Sequence, residues 1–169
     1  MNERQMISEI SKALWSPYAH LMVPNTRLLG YEIDLAVMSN SGYLFEIECK
    51  TNISDLKKDQ EKKKWKPGDL YNTNFSKYVR RFYIAIPFPI LQDFKWSMLH
   101  PQAKDTAGLI VVSSPKKKDR SWWGRGGGAK IQKKAKQHNS VTKLSETQMS
   151  KLRESAYFGM WSYYRKQIE

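Results

Sequence analysis

Four acidic residues and a lysine alternate with apolar residues in the segment EIDLAVMSNSGYLFEIECK, residues 32–50. The alternation on both sides of SNSG predicts a β-hairpin. Because side chains of a strand point alternately to its two faces, Glu46, Glu48 and Lys50 share one face of the second strand. Asp34 lies on the strand before the turn. The register of the hairpin therefore decides whether these groups meet.

The turn and the apolar pattern predict the same register. A three-residue loop that ends at Gly42 suits the left-handed conformation that such loops require at this position. It places Asp34 opposite Glu48, with Cβ atoms about 4.5–5.5 Å apart. A shift by one residue would instead pair Asp34 with Ile47 and exchange the two faces of the strand. We therefore expect the two carboxylates to be neighbours.

Two neighbouring carboxylates repel each other unless one is protonated or a cation lies between them. Mg²⁺ takes oxygen ligands and keeps several waters, and metal-bound water is a nucleophile at neutral pH. Lys50, one step along the face of Glu48, is placed to hold or deprotonate such a water. The simpler interpretation is a solvated acidic face. The apolar runs FYIAIPFPI and AGLIVV favour a sheet covered on both sides, and with it a site for cutting phosphodiester bonds.

The composition favours a polyanion as the partner, because the 169 residues carry a formal charge of +13 and the pI is about 9.8. The single cysteine, Cys49, forms no intramolecular disulfide, which predicts a reducing compartment, the cytoplasm. One cysteine and three scattered histidines make a structural zinc site a poor fit. No apolar run approaches the roughly 18 residues of a membrane span, so we expect no membrane partner.

The chain divides by composition into a core at 1–114, a basic Gly/Trp-containing loop or arm at 115–140, and a C-terminal helix within 141–169 that packs on the core or at a dimer interface. Within the core, periodicity and turn residues predict alternating helices and strands. The predicted elements are a helix at 5–15, strands within 20–50, a basic helix at 53–65 capped by Ser54 or Asp55, a short helix at YNTNFSKYV, strands at RRFYIAIPFPI and AGLIVVSS, and a last helix at 145–166.

Asp34 followed by Glu48-Cys49-Lys50 behind an N-terminal helix resembles the PD-(D/E)XK nuclease superfamily. The blocks IDLAVMSNSGYLFEIECKTNISDLKKDQEKKKW, RFYIAIPFP and AGLIVVSS resemble its MmcB-like branch of DNA-repair nucleases, over residues 5–114. The resemblance implies an α/β fold with a restriction-endonuclease-like core. Such a core has a helix, a three-strand antiparallel meander, a helix and further strands, with helices on both sides of a mixed sheet.

The resemblance also implies a nuclease that depends on Mg²⁺ or Mn²⁺. Asp34 and Glu48 would be metal ligands, with the backbone carbonyl of Cys49 as a third, and Lys50 would position or activate the attacking water. An acidic residue of the first helix often completes such sites, and Glu9 is the match in this chain. No other cofactor is implied.

Three further acidic residues are weaker candidates for the site. Glu3 is the alternative to Glu9 on the first helix. Glu46 shares the face of Glu48 but lies further from Lys50, so we expect it to support the site or to be solvated. Glu32 is expected to be a bystander.

Basic and aromatic residues predict where DNA would bind. Lysines contact phosphates without reading sequence, and tryptophan stacks on unpaired bases or wedges into a distorted duplex. The candidates are Lys57, Lys58, Lys62, Arg80, Arg81, Lys116, Lys117, Arg120, Trp122, Trp123 and Arg125. GRGGG lacks the spacing of a phosphate-binding loop.

The sequence leaves three functions open. The first is a Mg²⁺-dependent deoxyribonuclease. The second is a nuclease-fold protein that binds DNA without cutting it, as an accessory or inhibitory factor. The third is an endonuclease similar to Holliday-junction resolvases, for which a dimer through the last helix would be suitable. DNA is the expected partner in each, in duplex, branched or single-stranded form.

Overall fold

The computed structural model describes residues 1–15, 19–113 and 128–168, with side chains through residue 159. Its helices are α1 (Glu3–Ala13), α2 (Ile53–Lys58), α3 (Leu70–Tyr78), α4 (Pro101–Thr106) and α5 (Glu146–Ile168). Its strands are β1 (His20–Thr26), β2 (Ile33–Ser39), β3 (Leu44–Cys49), β4 (Val79–Pro87), β5 (Gly108–Ser113) and β6 (Gly128–Lys133).

The strands form one mixed sheet in which spatial order follows chain order, β1 to β6. β1, β2 and β3 make an antiparallel meander. β3, β4 and β5 are parallel, and β6 closes the far edge in the antiparallel direction. The predicted fold class is confirmed: the helix, the three-strand meander, the helices that follow and the further strands are consistent with a restriction-endonuclease-like core.

The β2–β3 hairpin has the predicted register. Leu35 pairs with Ile47, and Val37 pairs with Phe45. The turn holds this register because Gly42 has a φ of 81°, and its N–H donates a hydrogen bond of 2.9 Å to the carbonyl oxygen of Ser39. A residue with a Cβ atom adopts this left-handed conformation only at a cost, so the glycine is suited to end the loop.

Both faces of the sheet are covered, as the continuous apolar strands predict. On one face α1 buries Met6 and Ile10 against a cluster that includes Ile47. The helix can begin at Glu3 because Asn2 caps it. On the other face the segment from α2 to α3 adds Leu56, Trp65 and Phe75 to a second apolar cluster, which also includes Phe82 and Ile84 of β4.

The predicted basic helix at 53–65 is shorter than expected. α2 ends at Lys58, and two 3₁₀ turns follow, Asp59–Glu61 and Lys63–Trp65. The cap is Asn52 rather than Ser54 or Asp55, because the Asn52 side chain accepts the N–H of Asp55. The break matters because it changes which lysines face the sheet.

The predicted arm at 115–140 is partly a strand. β6 pairs with β5 through contacts such as Val112 with Ala129, so residues 128–133 belong to the sheet. Residues 114–127 lie outside the described part. α5 packs on the core through its first turns, where Leu152 is fully buried. Among the described residues, no helix is both long and apolar enough to cross a membrane.

Candidate functional site

Six charged side chains meet on the sheet face beneath residues 53–65. This ionic cluster consists of Glu46, Glu48, Lys50, Asp59, Lys62 and Lys64. All except Lys62 are at most 3% exposed. The simpler interpretation of a solvated acidic face is therefore wrong.

Glu48, near the end of β3, lies at the centre of the ionic cluster. Its Oε1 accepts a hydrogen bond of 3.1 Å from Nζ of Lys50 and another from Nζ of Lys62. Its Oε2 accepts a hydrogen bond of 2.7 Å from Nζ of Lys64. Three ammonium groups thus hold one carboxylate in a fixed orientation.

Glu46 is buried beside Glu48, so the expectation that it could be solvated is wrong. Lys64 donates to its Oε1 at 2.6 Å, and the hydroxyl of Tyr31 donates to its Oε2 at 2.5 Å. Burial, and then the negative charge of Glu46, raise the pKa of Tyr31 well above its usual value. The phenol therefore stays protonated and remains a donor. Glu32 is not part of the ionic cluster and pairs with Arg27 at the surface, at 3.5 Å.

Asp59 closes the ionic cluster from the first 3₁₀ turn. Its Oδ1 lies 3.1 Å from Nζ of Lys50 and 3.3 Å from Nζ of Lys62. Its Oδ2 accepts a hydrogen bond of 3.2 Å from the indole N–H of Trp65. With Asp59 included, three carboxylates face three ammonium groups, and the formal charges of the ionic cluster balance. Balance of this kind is what makes buried charges tolerable.

Asp34 lies beside the ionic cluster. The hairpin register, continued one step beyond the pair of Leu35 and Ile47, places it opposite Glu48. Its Oδ2 accepts a hydrogen bond of 2.8 Å from the backbone N–H of Cys49. Burial raises the pKa of Asp34, while that hydrogen bond and the charges of Lys62 and Lys50 oppose the rise. The carboxyl group thus lies in the field of the same lysines that hold Glu48.

A cleft of about 390 Å³ opens beside Asp34. Its lining consists of Tyr31, Glu32, Asp34, Lys62, Lys63, Lys64 and Tyr71. Of the lysines that line the cleft, Lys62 is partly exposed and Lys63 is exposed.

The structure brings Glu3, not Glu9, into the electrostatic environment of the site. The charge of Glu3 contributes to raising the pKa of both Asp34 and Cys49. Glu9 instead pairs with Lys12 on its own helix, at 3.3 Å. Six residues of helix separate the two glutamates by about 9 Å along the axis, which explains why they cannot serve the same place. These observations favour Glu3 over Glu9 as the acidic residue of α1 that acts on the site.

The predicted DNA-contacting residues separate into distinct groups. Lys57 and Lys58 are exposed on α2, near the ionic cluster, whereas Lys62 is partly buried within it. Arg80 and Arg81 are at the start of β4, where Arg81 pairs with Phe45, while Cys49 pairs with Ala85 four residues further on. Four residues of strand span about 13 Å, so the two arginines do not flank the cleft.

Arg80 and Arg81 stack on neighbouring aromatic rings instead. The guanidinium carbon of Arg80 is 3.7 Å from the ring centroid of Tyr43, and that of Arg81 is 5.6 Å from that of Phe45. The remaining candidates, Lys116, Lys117, Arg120, Trp122, Trp123 and Arg125, lie outside the described residues.

Sequence reasoning missed Tyr31 and Asp59, and it took Lys64 for one more lysine of a basic helix rather than a buried partner of Glu46 and Glu48. Asp59 and Lys64 stand in the charge run DLKKDQEKKKW, which looks like a solvated helix face. The available signal was Trp65, because a large apolar residue inside a charge run marks the point where the chain turns inward. Trp65 is 1% exposed and packs edge-on against Phe75 and Phe82, with ring centroids 5.0 and 5.4 Å away.

The donor atoms fit a divalent cation of the Mg²⁺ type, because Asp34, Glu48 and the Cys49 carbonyl all offer oxygen. Within the described ranges, no group of three or more His, Cys, Asp or Glu side chains could hold a metal ion, so the carbonyl would be needed beside the two carboxylates. The ammonium of Lys62 contacts Glu48, and its positive charge opposes the rise in the pKa of Asp34 that burial causes.

The fold has a counterpart among solved structures. It is similar to the SPO1766 protein of unknown function from Silicibacter pomeroyi, with a TM-score of 0.55 and 15% sequence identity over 99% of this chain and 90% of that one. At this identity the likeness concerns the fold alone. No protein-family model matches the chain, and no curated protein sequence matches it.

Proposed function

We propose that the protein is a metal-dependent nuclease that hydrolyses phosphodiester bonds of DNA. The observation that carries the proposal is the convergence of Asp34, Glu48 and Lys50 where β2 begins and β3 ends. Asp34 and Glu48 hold two like charges close together, beside a buried lysine and an open cleft. Such an arrangement suits phosphoryl chemistry better than a structural role, because like charges at short distance destabilise a fold.

Asp34, Glu48 and the Cys49 carbonyl would hold Mg²⁺ or Mn²⁺. A bound divalent cation offsets negative charge on the phosphoryl group and lowers the pKa of water. Lys50 is kept in position by Glu48 and Asp59, each 3.1 Å from its Nζ. In the proposed reaction, the Lys50 ammonium hydrogen-bonds the attacking water and orients it towards phosphorus, while Asp34 and Glu48 keep their charge for the cation.

DNA would be held by phosphate contacts along the cleft. Lys63 lines the cleft, and Lys57 and Lys58 are exposed on the adjacent helix. Together with the net charge of +13, they favour binding that depends on salt but not on base sequence. This arrangement supports DNA as the substrate.

We propose that the protein works in the cytoplasm. Cys49, the one cysteine of the chain, is a free and buried thiol. A chain that has no disulfide to form is suited to a reducing compartment.

The test is a cleavage assay on supercoiled, linear and single-stranded DNA with Mg²⁺ or with EDTA. The wild type should give products only with Mg²⁺, and Lys50→Ala should be slower by about 100-fold or more, as expected when a group that acts on the attacking water is lost. The control is Lys104→Ala, which removes an exposed lysine of α4 outside the proposed DNA-contacting set and should stay within a few-fold of the wild type. Equal cleavage by the wild type and Lys50→Ala contradicts the proposal.

A second candidate is a nuclease-fold protein that binds DNA without cutting it. The specific observation in its favour is that both oxygens of Glu48 already accept hydrogen bonds from lysines. Salt-sensitive DNA binding that survives Asp34→Asn, with no cleavage product at any metal concentration, would favour this candidate over the nuclease.

A further inference from the structure

Lys62 differs from the other two lysines that contact Glu48. The side chains of Lys50 and Lys64 are 3% exposed, whereas that of Lys62 is 38% exposed. Lys64 is further confined by the ring of Phe82, whose centroid lies 4.6 Å from its Nζ. Of the three ammonium groups, that of Lys62 can therefore leave Glu48 with the least rearrangement.

The Lys62 ammonium takes a position between carboxylates. It contacts Oε1 of Glu48 and lies 3.3 Å from Oδ1 of Asp59. Burial, and then the charge of Lys64, lower the pKa of Lys62 to about 8, and the negative charge of Asp34 opposes this lowering. A cation at this point relieves the repulsion between Asp34 and Glu48 that the hairpin register creates.

The backbone of Lys62 permits the side chain to swing outward. The residue links the two 3₁₀ turns and has an extended conformation, with φ −62° and ψ 142°. It also lines the cleft beside Lys63, which is exposed. A released side chain thus has solvent and cleft within reach, without any change in α2.

We propose that Lys62 is an internal cation that competes with the divalent metal for Glu48 and moves into the cleft when the metal binds. The inference rests on the proposed function, because it takes Asp34 and Glu48 as the metal ligands. The physical reason is that an ammonium and a divalent cation cannot share one carboxylate oxygen in a buried site without strong repulsion. Lys62 thus sets the metal affinity of the site and keeps the carboxylates compensated until a metal arrives.

The first experiment titrates Mn²⁺ alone into the full chain and follows free Mn²⁺ by electron paramagnetic resonance. Lys62→Ala should bind Mn²⁺ about tenfold or more tightly than the wild type, because the competing cation is gone. The matched control is Lys63→Ala, which removes the same charge from the next residue and should change the affinity by no more than about twofold. Asp34→Asn should bind Mn²⁺ more weakly than the wild type.

Two results separate this inference from the proposed function. Equal Mn²⁺ affinity in the wild type and Lys62→Ala, with loss of binding in Asp34→Asn, overturns the role of Lys62 and leaves the metal site standing. Absence of Mn²⁺ binding in both the wild type and Lys62→Ala overturns both proposals.

A second measurement uses the unaltered protein and does not depend on how Lys62→Ala folds. Acylation of lysines, followed by mass spectrometry, reports the exposure of each amine. Saturating Mn²⁺ should raise the acylation rate of Lys62 several-fold and leave that of Lys63 unchanged. A Lys62 rate that Mn²⁺ does not change contradicts the proposal.

Discussion

Nζ of Lys64 lies 2.7 Å from Oε2 of Glu48 and 2.6 Å from Oε1 of Glu46, so one ammonium bridges two buried carboxylates. Neither carboxylate reaches bulk water, since Glu46 is 0% and Glu48 is 1% exposed. Their charges must therefore be compensated within the protein. Lys64 does this from the second 3₁₀ turn, next to Trp65, and so connects the stability of the fold to the geometry of the proposed site.

Replacement of Lys64 by methionine should destabilise the fold by about 3–5 kcal/mol, because it leaves Glu46 and Glu48 short of a buried partner. Urea unfolding at pH 7 measures the free energy of unfolding. Lys63→Met is the matched control, since Lys63 is exposed, and it should cost less than about 1 kcal/mol. Adding Glu46→Gln to Lys64→Met should recover part of the loss. A loss under about 1 kcal/mol for Lys64→Met would show that the bridge is dispensable.

Replacement of Asp34 by asparagine should stabilise the protein at neutral pH, by an amount in the usual range for stabilising substitutions, about 0.5–2 kcal/mol. Burial raises the pKa of Asp34 above its ordinary value of 3.8, so the folded chain binds this proton more tightly than the unfolded chain. The charged carboxylate of Asp34 therefore lowers the free energy of unfolding by its full amount at pH values above the pKa in the folded state. This destabilisation disappears as the pH falls through the pKa in the unfolded state.

The measurement for Asp34 is urea unfolding of the wild type and Asp34→Asn at pH 7 and near pH 4. The gain from Asp34→Asn should shrink at the lower pH. Asp105→Asn, at an exposed position of α4, is the control. A gain that does not vary with pH, or a net loss of stability at pH 7, argues against this account of Asp34.

The two acidic residues of α1 should differ in their effect on cleavage. Glu3→Gln removes a charge that acts on Asp34, and we expect cleavage or metal affinity to fall by about 10–100-fold, the range typical of groups that support metal ligands. Glu9→Gln removes a partner of Lys12 and should stay within about threefold of the wild type. Rates with Mg²⁺ at fixed salt measure both. A larger loss for Glu9→Gln than for Glu3→Gln would support the sequence-based assignment of Glu9.

The thiol of Cys49 should be unreactive in the folded protein. Burial, and then the charges of Asp34 and Glu3, raise its pKa far above the usual value, so little thiolate forms at pH 8. The side chain is only 4% exposed. Alkylation by iodoacetamide, followed by mass spectrometry, should be at least about 100-fold slower in buffer than in guanidinium chloride. Equal rates in the two solvents would mean that the hairpin opens readily.

Several features of the fold could be predicted because they depend on neighbours along the chain. The register of β2 and β3 follows from alternation and from the turn at Gly42, both of which are local. The continuous apolar runs of β4 and β5 likewise report that both faces of the sheet are covered. The face shared by Glu46, Glu48 and Lys50 follows from the same alternation, and all three are buried as a covered sheet requires.

The partners of those residues are decided by contacts between distant parts of the chain. A run of lysines has no internal signal for which member faces inward; Lys64 is buried because Trp65 packs against Phe75, Phe82 and the stacked ring of His100.

Which of Glu3 and Glu9 lies near the site is likewise decided by contacts between distant parts of the chain, because it depends on where α1 crosses the sheet. Local patterns determine the conformation of a hairpin because its two strands are adjacent in sequence. Charge pairs between β3 and the 3₁₀ turns of 59–65 arise only after packing has excluded water from the space between them.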